Sequence, residues 1–294
     1  MKRPAANTPT SSPQGWQVIA CDLDGTLLGR DLKANTRDLE ALCRAREAGL
    51  HVAICTGRNA LECAPVIEPL ALRGPGVFVN GAVIADMATR CSLERVTIAW
   101  PLVAELIDFF SDLGHAVLLL ADDDQTGLPL YLRTQRGTPH RATVEWMVAH
   151  RMSAVVQADI EERLRPRIVR AGIVVDVPEA LAIEQGLTSQ FNGRIVSYSV
   201  FSPVYHCQVI DVFNPQATKW TGIEALCRHL GVPATNAVAI GDDLNDLPML
   251  RQARLSFAMG NTSAVVRQAA KRVTLPQAES GVAHVLDGIL AGDW

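Results

Sequence analysis

The chain has 294 residues, of which 48% are hydrophobic, and its formal net charge is −4 at neutral pH. This length and composition allow one large or two ordinary domains with a buried core. The weak negative charge gives no electrostatic reason to expect nucleic acid or anionic lipid as a partner. No apolar run approaches the roughly 18 residues that a membrane-spanning helix needs, so we expect a cytoplasmic protein with no membrane partner.

The first segment, residues 1–15, has two basic residues but lacks the apolar stretch of a signal peptide, which predicts a short disordered tail. The seven cysteines are odd in number, and no pair is spaced C-x-x-C. The seven histidines form no H-x-H or H-E-x-x-H cluster. These patterns indicate neither a disulfide framework nor a zinc site.

Several short runs are almost entirely apolar, and each is followed by polar residues or glycine. This is typical of strands covered on both faces in a parallel sheet. The runs are 18–21 before Asp22, 52–55 before Thr56, 77–79 before Asn80, and 238–240 before Gly241. Helical patterns cover 36–48, 219–230 and 262–271. The alternation predicts an α/β, Rossmann-like fold whose ligands bind beyond the carboxyl ends of the strands.

The pattern of helices and strands in the middle of the chain, residues 89–211, differs from that of the flanking segments. It predicts an inserted α+β domain. The sheet domain is then formed by 16–88 and 212–294. Within the insertion we expect helices over 102–113 and 159–170, and strands over 116–120, 131–133, 173–177, 195–200 and 208–212. The run 122–124, with Gly127, is interpreted as a solvated turn and not as a second metal site.

Asp22 and Asp24 follow the first strand in the sequence D-L-D-G-T. Two carboxylates at one strand end repel each other, and a divalent cation would remove that penalty. Oxygen ligands with retained waters suit Mg²⁺, and Gly25 allows a sharp turn there. An ordinary turn leaving a strand is the simpler alternative.

Two further segments suit an anion. Thr56-Gly57-Arg58 places a hydroxyl and an unhindered backbone N–H after the second strand. Thr218 is a plausible helix cap, which puts Lys219 in the first helical turn, where a cation is unfavourable unless an anion is bound nearby. A turn and a solvated lysine are the respective alternatives.

A second acidic loop, G-D-D-L-N-D, follows the strand at 238–240. Pro248 fits only the first turn of a helix, so a helix should begin near Asn245 or Asp246. Asp242 is then free to face a metal, Asp246 lies at the positive end of the helix, and Asp243 is interpreted as a helix cap.

Taken together, these four segments resemble the four motifs of the haloacid dehalogenase-like (HAD) hydrolase superfamily. More narrowly, the chain resembles the Cof-type subfamily IIB phosphatases, supported by N-G-A at 80–82, M-G-N at 259–261 and S-G-V-A at 280–283. The resemblance implies a HAD core with a parallel sheet and a C2B-type cap at 89–211 that selects the substrate. One departure is Trp220, which stands where the subfamily has glycine and could narrow the site.

The resemblance implies roles for the matching residues. Asp22 would be the nucleophile that forms an aspartyl-phosphate, and Asp24 the general acid and base. Mg²⁺ would be held by Asp22, the backbone carbonyl of Asp24 and Asp242. Asp246 would belong to the same metal site and would orient waters or neighbouring groups. The phosphoryl oxygens would be held by Thr56, Gly57, Lys219 and Asn245. Candidate cap contacts to the leaving group are Arg133, Arg136, His140 and Tyr205, although packing roles are an alternative for each.

The expected activity is hydrolysis of a small phosphorylated metabolite, such as a sugar phosphate or pyridoxal phosphate, by a monomer or homodimer. A phosphosugar mutase using the same motifs and a non-catalytic sensor of phosphorylated metabolites remain alternatives. No G-x-G-x-x-G follows a strand and no G-x-S-x-G occurs, which argues against a dehydrogenase and a serine hydrolase.

Overall fold

The computed structural model describes residues 9–123, 128–149 and 152–294. The chain divides into two compact units, the first formed by Met1–Glu94 with Thr218–Trp294 and the second by Arg95–Ala217. Both boundaries fall later in the chain than the expected ones after residues 88 and 211. Among the described residues, no helix has the length and apolar composition required to span a membrane.

Strands and helices alternate in the N-terminal and C-terminal parts of the chain. In chain order they are β1 (Val18–Cys21), α1 (Thr36–Glu47), β2 (His51–Ile54), α2 (Ala64–Ile67), β3 (Pro75–Phe78), β4 (Val83–Asp86), β5 (Ser92–Arg95), α3 (Trp100–Asp112), β6 (Leu118–Asp123), β7 (Leu128–Thr134), α4 (Arg141–Ala149), β8 (Ala154–Gln157), β9 (Ile168–Asp176), α5 (Val177–Phe191), β10 (Val196–Ser202), β11 (Cys207–Phe213), α6 (Lys219–Leu230), β12 (Ala237–Gly241), α7 (Leu247–Gln252), β13 (Leu255–Ala258), α8 (Ala264–Ala269), β14 (Arg272–Val273) and α9 (Gly281–Ala291).

The first unit contains the predicted parallel sheet, with strand order β14-β13-β12-β1-β2. Its central strands β1 and β12 are buried along their whole length. Short β-branched and small side chains suit strands covered on both faces, which is why they read as unbroken apolar runs. The predicted helices at 36–48 and 219–230 correspond to α1 and α6, whereas α8 is shorter than the pattern at 262–271.

The run at 77–79 agrees only in part with the prediction of another parallel strand. It lies at the end of β3, which pairs antiparallel with β4 in a separate three-stranded sheet. One parallel bridge joins Cys55 and Val77, and the Thr56 N–H donates to the Val77 carbonyl at 2.9 Å. An apolar run indicates burial but not the direction of its partner, so this pairing could not be deduced locally.

Part of the segment expected to be a disordered tail is held against the first unit. The Thr10 N–H donates to the Gly49 carbonyl at 2.9 Å, and the Thr10 hydroxyl donates to the Ala48 carbonyl at 2.8 Å. Trp16 is buried, and its indole N–H donates to the carbonyl of Trp294 at 2.8 Å. The expectation of disorder was therefore wrong for this part; residues 1–8 lie outside the described range.

The second unit is a six-stranded sheet with order β10-β11-β9-β6-β7-β8, antiparallel except for the β7–β8 pair. Its core contains side chains from one face of the sheet, such as Leu119 and Ile173, together with Leu106 of α3 and Leu187 of α5. This is the predicted α+β insertion, and all of its predicted strands are present with shifted ends.

Two expectations for the second unit were wrong. The segment 159–170, predicted to be helical, contains only a 3-10 turn at Arg165–Arg167 before β9 begins. Asp122 and Asp123, expected in a solvated turn, end strand β6 and are buried. Each pairs with an arginine: Asp122 with Arg95 at 2.5 Å, and Asp123 with Arg163 at 3.0 Å. Residues 124 and 127 of the expected turn lie outside the described range.

Candidate active site

The register of the parallel sheet brings the two acidic loops of the first unit together. Cys21 of β1 is paired with Ile240 of β12, so Asp22 and Gly241 leave the sheet side by side. The Asp22 N–H donates to the Ile240 carbonyl at 3.0 Å and continues the ladder. Since parallel strands end at the same sheet edge, Asp22 and Asp242 start from neighbouring positions.

Lys219 reaches the same place from the start of α6. Thr218 caps this helix: its hydroxyl accepts from the Thr221 N–H, and the Thr221 hydroxyl accepts from the Thr218 N–H. This reciprocal capping box fixes where the helix begins. The prediction that Thr218 caps the helix and that Lys219 lies in its first turn is therefore confirmed.

The Lys219 ammonium lies between two carboxylates. Its Nζ atom is 2.8 Å from Oδ1 of Asp22 and 2.5 Å from Oδ1 of Asp246. The lysine side chain is completely buried. One oxygen each from Asp22, Asp242 and Asp246 lie within 4.8 Å of one another. Three carboxylates around one ammonium leave a net charge of −2 when all are ionised.

The pKa shifts reflect this crowding. Burial raises the pKa of Asp22 well above its usual range; Asp246 adds to the rise, whereas Lys219 opposes it. Burial also raises the pKa of Asp242 to about 7, against the hydrogen bond from Thr26. Burial by itself would lower the pKa of Lys219, but the charges of Asp22 and Asp246 outweigh it and raise that pKa well above its usual range. The lysine therefore stays charged and at least one carboxylate tends to be protonated in the absence of a cation.

Asp246 is tied to its own loop as well as to the lysine. Its Oδ2 atom accepts from the N–H groups of Asp242 and Asp243, at 2.8 and 3.0 Å. Asp243 caps the 3-10 turn Leu244–Asp246 by accepting from the Leu244 N–H, as expected for the acid predicted to be a cap. Asp246 therefore shapes the loop that presents Asp242.

The Asp24 carboxylate is not part of the three-acid group. Its side chain is 49% exposed and pairs with both the Nε and the terminal nitrogen of Arg58, the Nε contact being 2.8 Å. The motif arginine, for which no role was predicted, thus holds the expected general acid at the rim of the site. The exposed position leaves this carboxylate accessible to a bound ester.

The predicted phosphate-binding residues lie on neighbouring loops. Thr56 is buried, and its hydroxyl accepts from the Arg58 N–H at 3.2 Å. Asn245 donates from Nδ2 to Oδ1 of Asn80 at 3.0 Å, while its own Oδ1 is buried and has no hydrogen-bond partner among the described residues. A Cβ on Gly57 would lie 3.3 Å from the Asn80 side chain, so glycine suits this tight corner.

Three residues without a predicted role support Asp242 or Asn245. The buried Thr26 hydroxyl donates to Oδ1 of Asp242 at 2.6 Å, and Thr262 donates to the Asp242 backbone carbonyl. Asn80 holds Asn245 as described above. Thr26 is the last residue of the D-L-D-G-T motif, but its partner Asp242 is distant in sequence. Gly25 is required beside it, because a Cβ there would lie 2.1 Å from Oδ2 of Asp242.

The donor set fits a hard divalent cation. It consists of carboxylate oxygens, which Mg²⁺ prefers, and two of the three acids are buried with only one lysine to balance them. The unpaired buried Oδ1 of Asn245 adds another oxygen acceptor nearby in the same loop. Uncompensated buried carboxylates are costly, and a cation removes that cost.

Trp220 does not have the role suggested for it. The side chain is 8% exposed and belongs to the hydrophobic cluster of the first unit, which also contains Ile84 and Leu226. Gly222 instead allows the start of α6 to pack closely against Val77. A Cβ added at this position would lie 2.5 Å from a methyl carbon of Val77. Trp220 is therefore a core residue.

Two of the four candidate cap contacts have partners within the second unit. Arg136 pairs with Asp108 and Asp112 of α3, and His140 lies 3.3 Å from Asp176. Arg133 is a half-buried residue of β7, and Tyr205 lies in the turn between β10 and β11. The contacts of Arg136 and His140 favour the packing alternative for these two residues.

Comparison with known proteins covers nearly the whole chain. Residues 19–286 match the family model for haloacid dehalogenase-like hydrolases. The chain is 29% identical over 274 residues to 5-amino-6-(5-phospho-D-ribitylamino)uracil phosphatase YitU of Bacillus subtilis, spanning 92% of this chain and 96% of that protein. It is 28% identical over 270 residues to pyridoxal phosphate phosphatase YbhA of Escherichia coli, spanning 87% and 92% of the two chains.

A solved structure extends the similarity to three dimensions. The subclass IIB sugar phosphatase BT4131 of the HAD superfamily aligns with a TM-score of 0.74 at 21% identity, covering 93% of this chain and 99% of that one. At this identity the likeness concerns the fold. It includes both units, so the parallel-sheet core and the inserted domain have the architecture of that subclass.

Proposed function

Because this chain belongs to the haloacid dehalogenase-like hydrolase family and has the fold of its Cof-type, subclass IIB members, we propose that it is a Mg²⁺-dependent phosphatase of small phosphorylated metabolites. The observation that carries the proposal is the group of Asp22, Asp242 and Asp246 around the buried Lys219 ammonium. Such a group suits a cation and a phosphoryl group together, because phosphoryl transfer depends on charge neutralisation and positioning.

In the proposed reaction an Oδ atom of Asp22 attacks phosphorus while the bond from phosphorus to the ester oxygen breaks. Asp24 gives its proton to the departing oxygen, and the product is an alcohol and an aspartyl-phosphate. Water then attacks phosphorus, Asp24 takes its proton, and the Asp22–phosphorus bond breaks to release inorganic phosphate. The exposed position of Asp24 suits contact with both leaving group and water.

The remaining residues of the site would bind the phosphoryl group or the metal ion. Lys219, Thr56, the Gly57 N–H and Asn245 would bind the phosphoryl oxygens. Mg²⁺, which would be held by Asp22, Asp242, Asp246 and the Asp24 carbonyl, would supply positive charge against the phosphoryl group. Thr26 orients Asp242 through its 2.6 Å hydrogen bond. Supporting partners of this kind keep metal ligands in one orientation and tune their basicity.

The relatives support a proposal for the substrate class. The two bacterial phosphatases act on a phosphorylated ribitylamino-uracil and on pyridoxal phosphate, and the solved neighbour is a sugar phosphatase. These are small monoesters, so we propose a sugar phosphate or a cofactor phosphate as substrate.

The test is release of inorganic phosphate from a panel of sugar and cofactor phosphates, with Mg²⁺ and with chelator. We expect release with Mg²⁺ only, and loss of at least about 10³-fold in Asp22→Asn, which keeps the side-chain shape but removes the nucleophile. Asp287→Asn, a change at a partly exposed acid on α9, serves as the matched control and should retain wild-type activity. Near wild-type turnover by Asp22→Asn would contradict the nucleophile assignment.

The same assay separates the alternatives. A phosphosugar mutase would transfer the phosphoryl group between sugar hydroxyls and would release little inorganic phosphate without an activating bisphosphate. A sensor would bind phosphorylated metabolites in calorimetry without turnover. Either result would overturn the phosphatase proposal.

A further inference from the structure

The turn Val79–Gly81, which follows β3, has an unusual backbone. Three consecutive residues have positive φ angles: Val79 at 52°, Asn80 at 55° and Gly81 at 93°. Asparagine and glycine tolerate this region, but a β-branched valine rarely adopts it. Strained residues of this kind persist only when surrounding contacts over-determine them, and they concentrate at functional sites.

Those contacts come from three of the segments proposed to bind the phosphoryl group. The Val79 N–H donates to the Arg58 carbonyl and the Asn80 N–H to the Thr56 carbonyl, both at 3.0 Å. A Cβ on Gly81 would lie 2.0 Å from the carbonyl oxygen of Thr218, which caps the lysine helix. The turn therefore touches both the Thr56–Arg58 loop and the residue before Lys219.

The third contact is made by a side chain. Asn80 is 5% exposed, and its Oδ1 atom accepts from Nδ2 of Asn245 at 3.0 Å. This bond fixes the plane of the Asn245 amide, whose Oδ1 is buried and has no hydrogen-bond partner among the described residues. The amide is thus held through one of the two hydrogens on Nδ2, and the second hydrogen is the donor for a phosphoryl oxygen.

We infer that Asn80 is a positioning residue of the phosphate site, acting through Asn245. This inference rests on the proposed function, in which Asn245 contacts the phosphoryl group. The turn keeps the Thr56 loop and the lysine helix adjacent through Asn80 and Gly81, and the Asn80 side-chain amide aligns Asn245 with them. Without the amide, Asn245 would rotate among several orientations, and ordering it would oppose binding of the phosphoryl group.

Asn80→Gly isolates the amide from the turn. Glycine adopts φ near 55° without strain, so the backbone is retained and only the side chain is lost. Ala71→Gly is the matched control, because Ala71 also has a positive φ, of 49°, and is exposed. We expect Asn80→Gly to lower kcat for p-nitrophenyl phosphate and the affinity for inorganic phosphate by about tenfold each, as loss of one aligned hydrogen bond predicts. The thermal midpoint should stay close to that of the wild type, and Ala71→Gly should change neither kcat nor phosphate affinity.

A double-mutant cycle tests whether Asn80 acts through Asn245. If it does, Asn80→Gly combined with Asn245→Ala should bind phosphate no more weakly than Asn245→Ala alone. Multiplied losses in the double variant, or wild-type behaviour of Asn80→Gly, would overturn the inference. Calorimetric binding of inorganic phosphate in Mg²⁺ is measured independently of turnover. A wild-type protein that binds phosphate without hydrolysing esters would refute the proposed phosphatase while the cycle still decides the role of Asn80.

Discussion

Asp22 and Lys219 form a buried ion pair, with Oδ1 and Nζ 2.8 Å apart and side chains 6% and 0% exposed. The same ammonium contacts Asp246, so one lysine balances more than one buried carboxylate. A buried ion pair is costly to break, because removing one partner leaves the other charged and desolvated. Loss of the lysine should therefore destabilise the folded state.

Replacing Lys219 with methionine should destabilise the protein strongly. The change leaves Asp22 and Asp246 buried without their cation, which costs about 3–5 kcal/mol in comparable buried pairs. We expect a clearly lower thermal midpoint and a partial recovery on adding Mg²⁺. Lys271→Met, at an exposed lysine of the same unit, should change the free energy of unfolding by less than about 0.5 kcal/mol. Equal effects of the two changes in thermal unfolding would contradict the importance of this pair.

Stability without metal should fall as the pH rises. The folded-state pKa of Asp242 is about 7, above its ordinary value of 3.8, so the folded protein binds more protons than the unfolded chain between these values. The free energy of unfolding then decreases with pH across that window. We expect the thermal midpoint in chelator to fall between about pH 5 and about pH 7 through this group, and the fall to be smaller in Asp242→Asn.

Mg²⁺ should reverse this trend, because a cation favours the ionised carboxylates. The stabilisation that saturating Mg²⁺ produces, measured as the rise in thermal midpoint over chelator, should grow with pH. An Asp242→Asn protein with the same pH slope as the wild type in chelator would show that another group governs the effect.

Thr26→Val should weaken magnesium binding. The change removes the hydroxyl that donates to Asp242 at 2.6 Å while keeping the buried volume. Loss of such a supporting hydrogen bond lowers metal affinity by about 10–100-fold. We expect the Mg²⁺ concentration for half-maximal phosphate release to rise by at least about tenfold.

Thr274→Val provides the comparison for this prediction. Thr274 is also buried and donates to a backbone carbonyl, that of Gly281, at 2.8 Å. It should lower the thermal midpoint without changing the Mg²⁺ requirement. If both valine variants have the wild-type requirement, Thr26 does not orient Asp242 for the metal.

Asp24→Asn should reveal the general acid, because the loss of activity should depend on the leaving group of the ester. Without a proton donor, kcat/KM, which reports the step in which the alcohol departs, should fall about 10²–10⁴-fold for esters with poor leaving groups and much less for p-nitrophenyl phosphate. The partly exposed pair with Arg58 contributes little to folding, so the free energy of unfolding should change by less than about 1 kcal/mol. A uniform loss of kcat/KM across leaving groups would argue for a positioning role of Asp24.

The sequence determined most of the architecture of the first unit. The unbroken apolar runs of β1 and β12 predicted buried parallel strands, and the acids that follow them do emerge side by side. The start of α6 was also predicted, because Thr218 caps it through a local hydrogen bond. These features depend on side chains a few residues apart, so local patterns are sufficient to predict them.

The second unit shows where local patterns were not sufficient. Helix α5 at Val177–Phe191 was not predicted, although Pro178 in its first turn is a typical start signal. Asp122 and Asp123 were expected in solvent because charged residues are mostly exposed. Their burial depends on arginines brought to them by the fold, such as Arg95 and Arg163.

Only the tertiary structure decided how the site is held together. The pairing of Asp24 with Arg58, the hydrogen bond from Thr26 to Asp242 and the contact between Asn80 and Asn245 all join residues distant in sequence. Residue types and spacing along the chain identify which groups are available at a sheet edge. Which of them meet depends on strand register, on the direction of β3 and on the strained turn after it. These features are set by packing across the whole unit, so no short stretch of sequence could predict them.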